Sequence, residues 1–146
     1  MASGEELNNM CAKIPGFLGV FASDDLPYPR PKTGCLIVNY DPKTKKGSHW
    51  CAMRFHKYSP SEYFDSFGLK PDQADRIVHD KTNFNEYLGP FVYNMFDFQN
   101  IHDDTCGYYC VLFCKYGLVS PIWEKLHAVN DSKERDCMAR YIAQQR

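Results

Sequence analysis

The sequence predicts an α+β fold, a mixed or antiparallel sheet packed on helices, with a central helix that begins at a cysteine. Three observations carry this. The β-branched apolar run "CLIVNY" (Cys35 to Tyr40) is followed by two further strand-like segments, each set off by turn signals. Helical patterning follows them, first near Pro71 and again from Cys106. Cys106, Cys110 and Cys114 then recur at i, i+4 and i+8, a line of thiols along one helical face.

Taken in order, Ser3 followed by Glu6 fits a capping box, so a short helix is expected to about Lys13. "PGFLGVF" and "DDLPYPRPKTG" read as an irregular, proline-rich entry that cannot form a central strand. Cys35 to Tyr40 is the first strand, and "DPKTKKG" is a turn closed by Gly47. "SHWCAMRFHKY" is the second strand, with Trp50, Ala52 and Arg54 on one face; "EYFDSFGL" is the third, completing an antiparallel meander. Pro71, Asp72 and Asp75 suit a helix start, with Ile77 and Val78 as its apolar face. "PFVYNMFDFQ" (Pro90 to Gln99) has strand composition, and "NIHDDT" is a polar loop with Asp104 or Thr105 as N-cap. The helix from Cys106 should end near Gly117. One or two more helices span 121–145, with Trp123, Leu126, Met138, Tyr141 and Ile142 as buried candidates.

The chain has 146 residues, 44% apolar and 24% charged, so residues 1–146 are expected to form a single domain with one core. Aromatic residues at 15% and a net charge of −1 argue against disorder, and also against a protein built mainly to hold nucleic acid. The basic run Lys43-Thr44-Lys45-Lys46 could touch phosphate, but a solvated turn explains it as well. No apolar run is long enough for a membrane span, and the acidic start "MASGEELNNM" is unlike a secretory signal. Seven cysteines without a framework spacing point to reduced thiols inside a cell.

A cysteine at a helix N-terminus occupies a special position. Unpaired N–H groups and the helix dipole favour the nucleophilic thiolate there. Cys106 follows a polar loop and is flanked by Gly107, which leaves room for a substrate backbone; Cys110 and Cys114 lie deeper among Tyr109, Val111, Leu112 and Phe113. No metal is expected, because C-x₃-C-x₃-C in an apolar helix lacks the knuckle spacing of zinc sites. On the helix alone, a nucleophile and three packed core thiols remain equally open.

A base would separate these readings. His49, beside Trp50 in "GSHWCAMRF", is a candidate, although an isolated strand histidine is commonly just packed. One strand later, Asp65 sits within the aromatic "YFDSFG", where burial is costly without a partner. In adjacent strands Asp65 could accept the imidazole N–H of His49 and fix its tautomer. Gln99, seven residues before Cys106, adds an amide that could donate to an oxyanion together with the Cys106 amide.

The order His49-Trp50, Asp65 within aromatic-Asp-Ser-Phe-Gly, Gln99, then Cys106-Gly107 resembles the adenovirus-type cysteine proteases (adenain), relatives of the ubiquitin-like (SUMO) protease group. "GFLGVF", "GCLIVNY", "GSHWCAMRF", "YFDSFG" and "QNIHDDTCGYYCVLFC" look like the corresponding segments, so the resemblance covers roughly residues 16 to 118. It implies a thiol protease with Cys106 as nucleophile, His49 as general base, Asp65 as orienting acid and Gln99 as oxyanion donor. It also implies a narrow substrate-binding site beside Trp50 and Gly107, cleavage after small residues, especially glycine, and action on viral structural precursors during virion maturation. The host nucleus or the virion would be its place of action. Aspartate stands at position 65 where adenain has glutamate, and the chain is shorter than adenain after the Cys106 helix. Adenain is activated by a peptide disulfide-bonded to a cysteine between acid and glutamine; no cysteine lies between Cys51 and Cys106 here. The near-neutral charge does not support DNA as an activator or partner either, so no cofactor is expected. Two alternatives use the same His-Asp-Cys set: a deubiquitinase or ubiquitin-like-modifier protease, and an acyltransferase.

Overall fold

The computed structural model describes residues 1–100 and 103–145. Ile101 and His102, within the polar loop expected ahead of Cys106, lie outside the described residues. In chain order the elements are α1 (Gly4–Cys11), β1 (Phe17–Phe21), β2 (Gly34–Asn39), β3 (Trp50–Phe55), β4 (Ser61–Phe64) and α2 (Pro71–Ile77). They continue with α3 (Phe84–Leu88), β5 (Phe91–Tyr93), α4 (Cys106–Tyr116), α5 (Pro121–His127) and α6 (Ser132–Gln144). The fold is α+β, around one mixed sheet of order β1-β2-β3-β4-β5.

The expected meander forms the middle of that sheet. β2 pairs antiparallel with β3, and β3 antiparallel with β4. The two edges are parallel additions. β1 pairs with β2 and β5 with β4. β1 corrects the reading of "PGFLGVF" as irregular: the prolines lie on either side of Phe17–Phe21, and an edge strand tolerates the irregular register at Gly19.

β2 is buried on both faces, which explains its unbroken apolar run. Cys35 and Ile37 point to one cluster, built with Leu7, Ala52, Phe64, Phe113 and Trp123. Leu36 and Val38 point to the other, with Met53, Tyr63, Phe84 and Leu88. Thus α1, α4, α5 and α6 cover one face of the sheet, and α2 and α3 the other. Arg54 reaches from β3 to the end of α4, donating to the Cys114 carbonyl at 2.6 Å and the Phe113 carbonyl at 3.2 Å.

Several expectations change in the structure. α1 has its capping box, with the Glu6 amide on Ser3 Oγ at 3.1 Å and the Ser3 amide on Glu6 Oε1 at 3.3 Å. In α2 the buried residues are Pro71 and Ala74, whereas Ile77 is 62% exposed, because this short helix docks by its first turns. α3 went unread in the sequence, although Asn83 accepts from the Glu86 amide at 2.9 Å, an N-cap signal. The strand expected through Gln99 stops at Tyr93, since the Asn94 side chain bonds the backbone of Asp65 in place of a ladder. Met138 and Tyr141 face solvent; α6 buries Asp136, Ala139 and Ala143 instead. Among the described residues no helix is long and apolar enough to cross a membrane.

Candidate active site

The site is assembled where the ends of β3 and β4 meet the start of α4. Thr105 occupies the N-cap position of α4 but does not cap through its hydroxyl. The first amides of the helix, those of Cys106 and Gly107, have no partner within it. The Cys106 thiol faces this end, where the Trp50 amide approaches Sγ at 3.5 Å. His49, immediately before β3, lines the same cleft as Cys106.

The His49 ring meets Asp65. Nε2 lies 3.0 Å from Asp65 Oδ1. Asp65 stands one residue past the end of β4, in a turn closed by the Gly68 amide on the Asp65 carbonyl at 2.8 Å. Its carboxylate is fully buried and accepts two more hydrogen bonds, from the Phe67 amide at 2.8 Å and from the Tyr40 hydroxyl. Burial, and then the Asp65 charge, push the Tyr40 hydroxyl well above its ordinary pKa, so it remains a donor. The imidazole is wedged between rings, stacked on Phe67 at 5.0 Å and edge-on to Tyr40 at 4.9 Å.

These contacts set the charge of His49. Burial alone would lower its pKa. The hydrogen bond to Asp65 and its charge, with Cys106 nearby, outweigh that and raise it to about 10. The ring is therefore cationic near neutrality, and Nε2–H donates to Asp65. A thiol beside an imidazolium anchored on a carboxylate can act as a nucleophile and then exchange a proton with a leaving group.

Gln99 joins the same cleft. Its Oε1 accepts from Ser66 Oγ, and its Nε2 donates to the Asp103 carbonyl at 2.7 Å, leaving a second N–H on that amide. The cleft has a volume of about 810 Å³ and includes His49, Trp50, Phe67, Gln99, Asp103 and Cys106 in its lining. A cleft of equal volume, bordered by Met95, Phe96, Val119 and Trp123, shares none of these groups.

The structure thus brings Cys106, His49, Asp65, Gln99 and Trp50 to one place. Gly107 has a different setting from the one expected. It is buried, and a Cβ there would meet Leu7 Cδ2 at 2.9 Å and Trp50 Cδ1 at 3.3 Å. Its missing side chain makes room for Leu7 and the indole, not for open space. The indole is anchored by Nε1 donating to the Ala2 carbonyl at 3.0 Å. Cys110 and Cys114 are buried, and burial drives both thiols well above their ordinary pKa. Among the described residues, no three His, Cys, Asp or Glu side chains are grouped as a metal ion requires.

Tyr40 and Asn94, two of the groups that hold Asp65, were not singled out in the sequence. Tyr40 gave a weak signal, as a hydroxyl-bearing ring ending an otherwise apolar strand. Asn94 gave none, because its role depends on a turn 29 residues earlier.

No known family model matches the chain. It is 27% identical over 128 residues to a protein named Protease from bovine adenovirus C serotype 10, covering 76% of this chain and 64% of that protein. It is 30% identical over 95 residues to Uncharacterized protein V9 of Sputnik virophage, covering 54% of this chain and 53% of that protein. The chain therefore spans less than two-thirds of the length of either relative. These similarities support a distant relationship to viral protease.

Proposed function

We propose that the chain is a cysteine endopeptidase of a virus or virus-like element, acting through Cys106, His49, Asp65 and Gln99. The observation that carries this reading is the His49 ring bonded to the buried Asp65 carboxylate and lining one cleft with the Cys106 thiol, at the uncapped start of a helix. The similarity to an adenovirus protein named Protease supports it independently.

In the proposed reaction the Cys106 thiolate attacks the scissile carbonyl carbon, forming a C–S bond and an oxyanion. The Cys106 amide and the second N–H of Gln99 Nε2 donate to that oxyanion. The C–N bond breaks as the His49 imidazolium gives its proton to the leaving amine, leaving a thioacyl-enzyme. Neutral His49 then takes a proton from water, hydroxide adds to the thioester, and the C–S bond breaks to release the acid. Thiolate and imidazolium are regenerated. Asp65 stays ionised throughout and orients the ring.

By resemblance, the substrates are polypeptides cut after small residues such as glycine, in viral precursor proteins. The test is hydrolysis of a fluorogenic peptide amide with glycine before the bond, by the wild type and by Cys106→Ala. Loss of turnover in the variant is expected; retained turnover excludes Cys106 as nucleophile. A ubiquitin C-terminal probe and acetyl-CoA with a peptide acceptor form the other arms. Preference for the former indicates a modifier protease, and acetyl transfer without hydrolysis indicates a transferase.

A further inference from the structure

Asp136 has no part in the reaction just described, yet it is fully buried. It lies on α6, and its two oxygens face two different parts of the site. Oδ1 accepts from the Tyr109 hydroxyl at 2.6 Å. Tyr109 is on α4, three positions after Cys106 and so about one turn further along the same helix. Oδ2 accepts from the Asn100 amide at 3.1 Å, and Asn100 directly follows Gln99.

The neighbours of Asp136 reinforce this connection. Ser132, one turn earlier on α6, accepts from Asn100 Nδ2 at 2.8 Å. Arg135 donates to the Phe98 carbonyl at 3.0 Å, while its other nitrogens hold Leu126 and Val129 at 2.8 Å and 2.5 Å. The Asp103 carbonyl holds Gln99 Nε2 at 2.7 Å. From the opposite side, Ser66 binds Gln99 through both its carbonyl and its hydroxyl. The residues on either side of Gln99 are therefore tied to α6, and the same carboxylate ties α6 to α4, beside Lys115 of α4 on the Ile142 and Ala143 carbonyls.

A buried carboxylate is costly unless its hydrogen bonds return the cost. A purely structural tie between α6 and α4 would be made as well by apolar packing, which Ala139 and Ala143 already supply on the same helix. What apolar packing cannot do is hold a backbone amide at a set distance from a side chain on another element. Nucleophile and oxyanion donor sit on two segments, and their separation must be kept within a fraction of an ångström for the donor to meet developing charge.

We propose that Asp136 is a positioning residue that sets the distance between Gln99 and Cys106, holding the Gln99 segment by the Asn100 amide and the nucleophile helix by Tyr109. The inference rests on the proposed cysteine-hydrolase reading. It differs from a stability role because it predicts which step suffers.

The test compares two reactions of the same thiol. Peptide hydrolysis requires an oxyanion site; alkylation of Cys106 by iodoacetamide requires the thiolate but forms no oxyanion. Asp136→Ala removes both acceptors, so neither the Tyr109 hydroxyl nor the Asn100 amide is held from α6. The expected result is a fall in kcat of about 10- to 100-fold with little change in KM, and an alkylation rate matching wild type. Tyr109→Phe removes a single hydroxyl and serves if Asp136→Ala does not fold. It should lower kcat less, again sparing alkylation. The double variant should be no worse than Asp136→Ala, since both act through one link.

Unchanged hydrolysis in both variants overturns the inference. A parallel fall in hydrolysis and alkylation, tracking a lower Tm, also overturns it and leaves Asp136 as a stabilising residue only. A wild-type chain that alkylates at Cys106 but hydrolyses no peptide is a separate failure: it removes the hydrolase reading and the positioning role with it.

Discussion

Asp65→Asn separates charge from geometry at the proposed site. The two carboxylate oxygens accept three hydrogen bonds: His49 Nε2 at 3.0 Å and the Phe67 amide at 2.8 Å on Oδ1, and the Tyr40 hydroxyl on Oδ2. Asparagine has nearly the same shape. With its carbonyl at the Oδ1 position it keeps the His49 and Phe67 bonds, and its amide faces the Tyr40 hydroxyl, which can rotate to accept. Only the negative charge is lost. His49 is raised from 6.5 to about 10, against the effect of burial, by Asp65 and Cys106 together. At about 1.4 kcal/mol per tenfold, that rise represents roughly 5 kcal/mol. Asp65 is one of its sources, so its loss should lower the His49 titration. Because an amide still orients the ring, kcat should fall by about 10- to 100-fold, short of the ~10⁴ of a mis-set tautomer. The assay is an NMR titration of the His49 ring in both proteins, paired with kcat/KM as a function of pH. A wild-type His49 that titrates near its ordinary value, or a midpoint unmoved by the substitution, would refute the reasoning.

Three further outcomes are expected. Gly107→Ala gains helix propensity of about 1 kcal/mol but drives a Cβ into Leu7, an overpacking cost of roughly 1–3 kcal/mol. Urea denaturation should show net destabilisation, and Leu7→Ala should cost less in the Gly107→Ala background than in wild type; a clear gain in stability from Gly107→Ala alone would contradict the packing described. Because the folded pKa of His49 lies above its unfolded value, its contribution to stability is full below about pH 6.5 and is lost as pH rises towards about 10. The difference in unfolding free energy between wild type and His49→Gln should shrink across that window; a gap that widens with pH reverses the sign of the argument. Cys110→Ala should cost about 1 kcal/mol of packing while leaving kcat at the wild-type level, so a loss comparable to that of Cys106→Ala would assign Cys110 a chemical role.

Local patterns in the chain were enough to specify much of this protein. The capping box of α1, the apolar run of β2, the meander through β4 and the helix from Cys106 to Gly117 are each written in neighbouring residues. The candidates Cys106, His49, Asp65 and Gln99 could be read as well, because each residue type is unusual in its local setting: a thiol at a helix start, an acid among aromatics. What local pattern could not supply is anything that depends on pairing at a distance. β1 is a strand only because a parallel neighbour completes its hydrogen bonds, and Ile77, Met138 and Tyr141 are exposed because docking, not composition, selects the buried face. Gly107 was read as leaving room for a substrate backbone; that its missing side chain makes room for Leu7, a hundred positions earlier, is set by the tertiary structure. Tyr40 and Asn94 around Asp65, and Asp136 between Gln99 and α4, are likewise decided by the tertiary structure alone. A buried carboxylate can be recognised in sequence as needing partners, but which groups satisfy it is settled only when separate segments meet.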